Sequence, residues 1–252
     1  MKILFASVEV APFAKVGGLA DVAGSLPKAL AALGHDVRIL MPAYQMVVEG
    51  QKPVAHGIPV PVNPHWHPAT DLYEMDLEGV PVWLVGRQGI FDETFRSEEV
   101  YRYGRDAYLF FAQAALSVCE HQGWIPDVIH ANDWHTGFLP VFLREKAGEK
   151  WDKTASVYTI HNLLYQGEFG HDTLDAAGLP QSLFTMDRLE TFGAVNFLKS
   201  ACVYSDRVNT VSPTYAEEIT TAEYGAGQWG LMGALKEDGR LRGILARLIW
   251  AL

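Results

Sequence analysis

Residues 2–30 are KILFASVEVAPFAKVGGLADVAGSLPKAL. The first seven, KILFASV, form a short and nearly unbroken apolar run, the pattern of a strand buried on both faces. From Leu19 onward, apolar residues recur at Val22, Leu26, Leu30 and Leu33. That spacing of three and four marks one face of a helix. Gly34 is placed to stop the helix, and HDVRILMP (35–42) is the next strand. A strand, a crossover helix and a second strand make a βαβ unit, so the two strands should be parallel. Pro27 lies inside the helix, lacks an N–H and crowds the preceding turn, which predicts a kink near Ala23.

The alternation continues along the chain. Helical patterns occur at RDAYLFFAQAALSVCEHQ (105–122) and TGFLPVFLREKAG (136–148), and RLETFGAVNFLKSACVYSD (188–206) is mostly helical. Strands are expected in PDVIHAND (126–133), ASVYTIHN (155–162) and RVNTVS (207–212). Ser212 is a suitable N-cap, with Pro213 at the first helical position after it. Residues 45–90 differ. PVAHGIPVPV, DLYEMDL and VPVWLVG are short strand-like runs, expected as a small β insertion after the second strand. The fold class is α/β: a Rossmann-like, doubly wound, mostly parallel sheet with helices on both faces.

Composition bounds the function. The chain has 252 residues, 49% hydrophobic and 20% charged, the balance of an ordinary globular protein. A formal net charge of −10 argues against nucleic acid as a partner, because phosphate neutralisation needs a basic face. No apolar run reaches eighteen residues, so no membrane span is expected, and the amino terminus does not resemble a signal peptide. Cys119 and Cys202 stand far apart and fit no metal spacing; buried free thiols in a reducing compartment, the cytoplasm, are expected.

In an open parallel sheet, ligands bind outside the carboxyl ends of the strands. Four such ends carry polar groups: Glu9, Lys15, Gly17, Gly18 and Asp21 after the first strand, Asn132, Asp133 and His135 after VIH, His161 and Asn162 after YTI, and Ser212 after NTV. Glycines at 17 and 18 would let a ligand approach the backbone, the following helix start favours an anion, and Lys15 adds a charge. The spacing fits neither the dinucleotide fingerprint nor the P-loop, so a tight strand-to-helix corner is an equal reading. Asp133 and His135 could orient hydroxyls or exchange protons, or Asp133 could simply cap the following helix. His161 and Asn162 could bind a ligand or form a polar turn. HWH at 65–67 would put two histidines on one face of a strand, but no third ligand is evident and no metal site is assigned. YRYGRDAYLFF (101–111) suits a helix start and core better than a base-stacking platform. No G-x-S-x-G, H-E-x-x-H or C-x-x-C occurs.

EVAPFAKVGGLADVAGSLPKAL (9–30), VIHANDWHTGFLP, TIHNLLYQGEF, VNTVSPTYAEEI and GRLRGIL follow one another in an order that resembles the bacterial glycogen synthases and plant starch synthases. The resemblance covers Met1 to about Leu245. It implies a glycosyltransferase of the GT-B type: two Rossmann-like domains facing across a cleft, moving glucose from ADP-glucose to the non-reducing end of an α-1,4-glucan with retention. It implies no cofactor and a cytoplasmic location. Residues 1–245 would be the acceptor-side amino-terminal domain, 246–252 a divergent tail, with the second domain absent from this chain. By position, Lys15, Gly17 and Gly18 would approach the sugar-nucleotide diphosphate, and Asp21 would hold that loop or the sugar. Glu9, Asp133 and His135 would line the glucan side. His161 and Asn162 would lie near the transferred glucose, His161 assisting through its carbonyl or its ring. GAGQWGLMGAL (225–235) and YGRDAYLF (103–110) depart from the family's usual pattern. An alternative from another class is a non-catalytic glucan-binding module.

Overall fold

The computed structural model describes residues 1–245; the tail expected at 246–252 lies outside them. In chain order the elements are β1 (Lys2–Ala6), α1 (Gly18–Ala32), β2 (Asp36–Pro42), α2 (Gln45–Val48), β3 (Ala55–Pro59), β4 (Ala69–Leu77), β5 (Val80–Gly86) and α3 (Arg105–His121). They continue with β6 (Val128–Asn132), α4 (Phe138–Glu145), β7 (Ala155–Ile160), β8 (Glu168–Phe169), α5 (Thr173–Ala177), β9 (Glu190–Thr191) and β10 (Ala194–Asn196). The last are α6 (Phe197–Tyr204), β11 (Arg207–Thr210), α7 (Pro213–Glu218), α8 (Trp229–Glu237) and β12 (Leu241–Gly243).

One sheet of nine strands organises the chain, in the order β12-β11-β7-β6-β1-β2-β5-β4-β3. β1 is central and pairs in parallel with both β2 and β6. Leu4, Phe5 and Ala6 are fully buried, as an apolar strand with neighbours on all sides must be. Around β4 the pairing is antiparallel. β5 then pairs in parallel with β2, so the expected insertion is not separate but extends the main sheet. The first crossover, through α1, moves from β1 outward to β2; those through α4, α6 and α7–α8 move the opposite way, from β6 to β12. Right-handed crossovers in opposite directions put α1 on one face and the later helices on the other.

Gly34 ends α1 at φ 88°. Its N–H donates to Ala31 O and that of His35 to Leu30 O, a complete Schellman stop. The helix runs unbroken through the buried Pro27. Its tight point is Gly24, where an added Cβ would lie 2.6 Å from Ala11 O. Ser212 caps α7 by accepting from Tyr215 N at 3.0 Å. Cys119 and Cys202 are buried free thiols.

The stretch 188–206 is a correction. Only α6 is helical; Glu190–Thr191 and Ala194–Asn196 pair as a hairpin. Gly193 at φ 82° makes the turn, which its apolar neighbours conceal in a periodicity count. His65, Trp66 and His67 are also not on a strand. Asn63 Oδ1 accepts from the N–H of both His65 and Trp66, folding the segment into a tight turn.

Candidate functional site

The sheet order reverses between β1 and β6, and in such sheets the crevice opens there, beyond the strand ends. The loop after β1 enters from one side and the loop after β6 from the other.

The first loop is built on Glu9. Its side chain is 1% exposed, and Oε2 accepts from Val16 N at 2.5 Å and Gly17 N at 2.7 Å. A bridge between Val10 and Ala14 closes the turn beneath it. Thus the carboxylate, not an outside anion, takes the first two amides ahead of α1. The amides left for a ligand are those of the helix's own first turn, from Gly18 on. Lys15 Nζ reaches outward and pairs with Asp21 Oδ1 at 2.6 Å, in the open. Gly17 is extended, at φ −133°. A Cβ at Gly18 would meet nothing within 4 Å, and one at Gly17 only Glu9 Oε1, at 4.0 Å. Folding therefore does not demand glycine at either position; the bare backbone leaves space.

Asp133 follows β6 with φ 55°, a region that non-glycine residues enter at a cost. It does not cap the following turn through its side chain. Its Oδ1 crosses to the next strand end and accepts from His161 N at 2.8 Å, with Asn162 N further off at 3.4 Å. Burial pushes the carboxyl up to about 7, held back by the two backbone N–H groups and assisted by the nearby negative charge of Glu9. Asp133 thus feels the charge of Glu9 across the crevice.

His161 is half-buried, and its ring Nε2 lies 3.0 Å from Asn132 Oδ1. Burial lowers its pKa to about 4, so the ring is neutral near pH 7. Asn162 Oδ1 accepts from Leu164 N at 3.0 Å, so one end of that side chain serves a polar turn. His135 is 5% exposed and stands in an aromatic nest, with ring centroids 4.8 Å from Tyr101, 4.9 Å from Tyr108 and 4.1 Å from Trp134. Its Nδ1 is buried without a hydrogen-bond partner, and burial lowers its pKa to about 3.

Glu9, Asp133 and His161 meet at the rim, with the Lys15–Gly18 loop hung on Glu9; His135 adjoins through Trp134. Sequence reasoning gave no site role to three residues. Tyr101, 40% exposed and stacked on His135, lies in a stretch whose sequence suits a helix start and core. Tyr215 has no local mark in the sequence, yet its hydroxyl oxygen accepts from Leu163 N at 3.0 Å. Gln166 ties three segments: its Nε2 donates to Ala226 O, and its Oε1 accepts from Asn196 and Gln228. None of these carries a local signal; each matters through a residue distant in the chain. Among the described residues, no group of three or more His, Cys, Asp or Glu is placed to hold a metal, and no helix is long and apolar enough to cross a membrane.

A doubly wound sheet with polar loops gathered at its switch point is a Rossmann-like ligand-binding domain, here of the GT-B type. Residues 2–237 match the model of the starch synthase catalytic domain, and the chain belongs to that family. It is 44% identical over 253 residues to the glycogen synthase of Moorella thermoacetica, covering 97% of this chain and 50% of that protein. With the glycogen synthase of Thermotoga maritima the identity is 44% over 264 residues, covering 97% and 52%. The chain therefore spans about half the length of the curated relatives it matches. The catalytic domain of starch synthase IV from Arabidopsis thaliana, bound to ADP and acarbose, superposes with a TM-score of 0.84 at 31% identity, over 97% of this chain and 51% of that one.

Proposed function

We propose that residues 1–245 are the amino-terminal, acceptor-side domain of an ADP-glucose-dependent glucosyltransferase of the cytoplasm. It extends an α-1,4-glucan, glycogen or malto-oligosaccharide, at the non-reducing end with retention of configuration. A second Rossmann-like domain would complete the cleft. The observation that carries this reading is the convergence of Glu9, Asp133 and His161 on one crevice, in a member of a family whose Arabidopsis representative was captured with ADP and acarbose.

In this reading the diphosphate lies over Gly17 and Gly18, where no side chain intervenes, and meets the open amides of α1. Lys15 exchanges its exposed Asp21 partner for a phosphate oxygen, and Asp21 then steadies the loop. Glu9 works from below. By holding the amides of Val16 and Gly17, it keeps the loop in shape before any ligand arrives. The transferred glucose sits beside His161. A neutral imidazole that already bonds through Nε2 offers its Nδ1 lone pair and its backbone carbonyl, not a proton or a positive charge. Both are acceptors suited to an oxocarbenium-like glucose whose leaving group and incoming hydroxyl share one face. Asp133, titrating near 7, and the His135–Tyr101 stack face the glucan. Asn162 completes that edge.

The test is glucose transfer from ADP-glucose to malto-oligosaccharide. With a second Rossmann-like domain joined to this one, Lys15→Ala should lose most activity while unfolding at nearly the same denaturant concentration. Full activity in that variant would remove Lys15 from the site. The 252-residue chain by itself should bind malto-oligosaccharide weakly and transfer no glucose above background; clear turnover would overturn the need for a second domain.

A further inference from the structure

Consecutive residues on a strand point to opposite faces of the sheet. Asn132 is the last residue of β6 and Asp133 the first beyond it, so the alternation ends between them. The turn of Asp133 to φ 55° lets both side chains reach the same residue, His161, one at the ring and one at the backbone N–H. Asn132 is fully buried. Its Nδ2 donates to Ala6 O at 3.1 Å and, more weakly, to His130 O at 3.4 Å. Only an amide N–H can face two carbonyls, so the other end of the amide is necessarily the oxygen. That oxygen is an obligate acceptor, and what it faces, at 3.0 Å, is His161 Nε2. Nε2 must therefore carry the proton, and the lone pair of the neutral ring lies at Nδ1.

We propose that Asn132 is the positioning residue of this site: it joins the end of β1 to the end of β7 and holds His161 in the Nε2–H tautomer. The assignment rests on the reading that places His161 beside the transferred sugar, but the tautomer can be tested without it. Asn132 touches no substrate in this scheme. It acts by denying the ring its other tautomer, since a proton on Nδ1 would leave the Nε2 lone pair facing the amide oxygen. The titratable groups facing the ring are Asp133, on the backbone N–H of the same residue, and His130, whose positive form it disfavours.

The experiment is ¹⁵N and proton NMR of the histidine rings in the 252-residue protein at pH 7. His161 should show one neutral tautomer, protonated at Nε2, with that ring proton protected from exchange with water. In Asn132→Ala the protection should vanish. In Asn132→Asp a carboxylate replaces the amide oxygen, and the His161 titration should move up by about 1–3 pKa units from its place near 4. An unmoved titration in that variant would mean that the side chain at 132 does not face the ring, and would overturn the assignment. A proton on Nδ1 in the unaltered protein, or a ring proton equally protected in Asn132→Ala, would overturn the assignment. If Asn132→Ala does not fold, the tautomer of the unaltered protein and the Asn132→Asp titration decide. Malto-oligosaccharide titration on the same samples is a separate matter: a correct tautomer with no response of His161 to sugar would sustain the positioning role and remove the sugar site instead.

Discussion

Asp133→Asn should make this protein more stable, and more so at alkaline than at acid pH. The carboxyl titrates near 7 in the folded chain, against an ordinary value of 3.8. The folded state therefore keeps a proton that the unfolded chain releases, and stability falls as pH rises through this window. A shift of about three units corresponds to a ceiling of about 4 kcal/mol, of which roughly two-thirds develops between pH 5 and 8. The residue is only half-buried, and solvent screening reduces the expected effect to about 1–2 kcal/mol. An asparagine keeps the shape and its oxygen can still accept from His161 N, so little else is lost. Three histidines act in the opposite sense: His130, His135 and His161 are lowered to about 3, 3 and 4, so both proteins gain stability as pH rises toward 6.5. That contribution cancels in the difference between variant and parent. Urea unfolding at pH 5 and pH 8, followed by circular dichroism, measures it. A gain that is the same at both pH values would refute the claim that burial holds this carboxyl protonated.

Other outcomes follow from single contacts. Glu9→Gln exchanges two charge-assisted bonds for neutral ones and should cost about 2 kcal/mol. It also removes the charge facing Asp133, so the pH dependence described above should shrink in the double comparison. Gly137→Ala would bring a Cβ to 2.4 Å from Phe197 O and 2.9 Å from Trp134 O, both backbone atoms that cannot step aside. We expect a loss of about 1–3 kcal/mol by thermal unfolding, with α4 displaced from α6. The Lys15–Asp21 pair is exposed, so Lys15→Ala should change unfolding by less than about 1 kcal/mol, whatever it does to donor binding.

The strand–helix–strand start was legible because its apolar residues obey two different periods on either side of a turn. The Schellman stop at Gly34 and the Ser212 cap were legible for a related reason: each is decided within six residues. The Glu190–Asn196 hairpin was not. Its strands have two and three residues, too few to establish an alternation, and the second of them also pairs with β8, far back in the chain. The Lys15–Gly18 loop shows the limit most clearly. Spacing alone could not separate an anion site from a corner. In the structure it is both a corner, closed by Glu9, and a lip with open space above it.

Local sequence by itself determined that this is an α/β chain, where its main strands and helices fall, and that polar residues end the central strands. These follow from periodicity and from turn and cap chemistry, which act over a few bonds. Which of those polar residues work together was decided by the tertiary structure. Asn132 and Asp133 meet His161 across 29 and 28 positions of sequence, because β6 and β7 pair in register. Glu9 meets the amide of Gly17 because the chain turns back over itself. Burial then assigns the protons, leaving Asp133 near 7 and His161 near 4. No count along the chain could supply that, since the desolvation that shifts each group comes from residues distant in sequence.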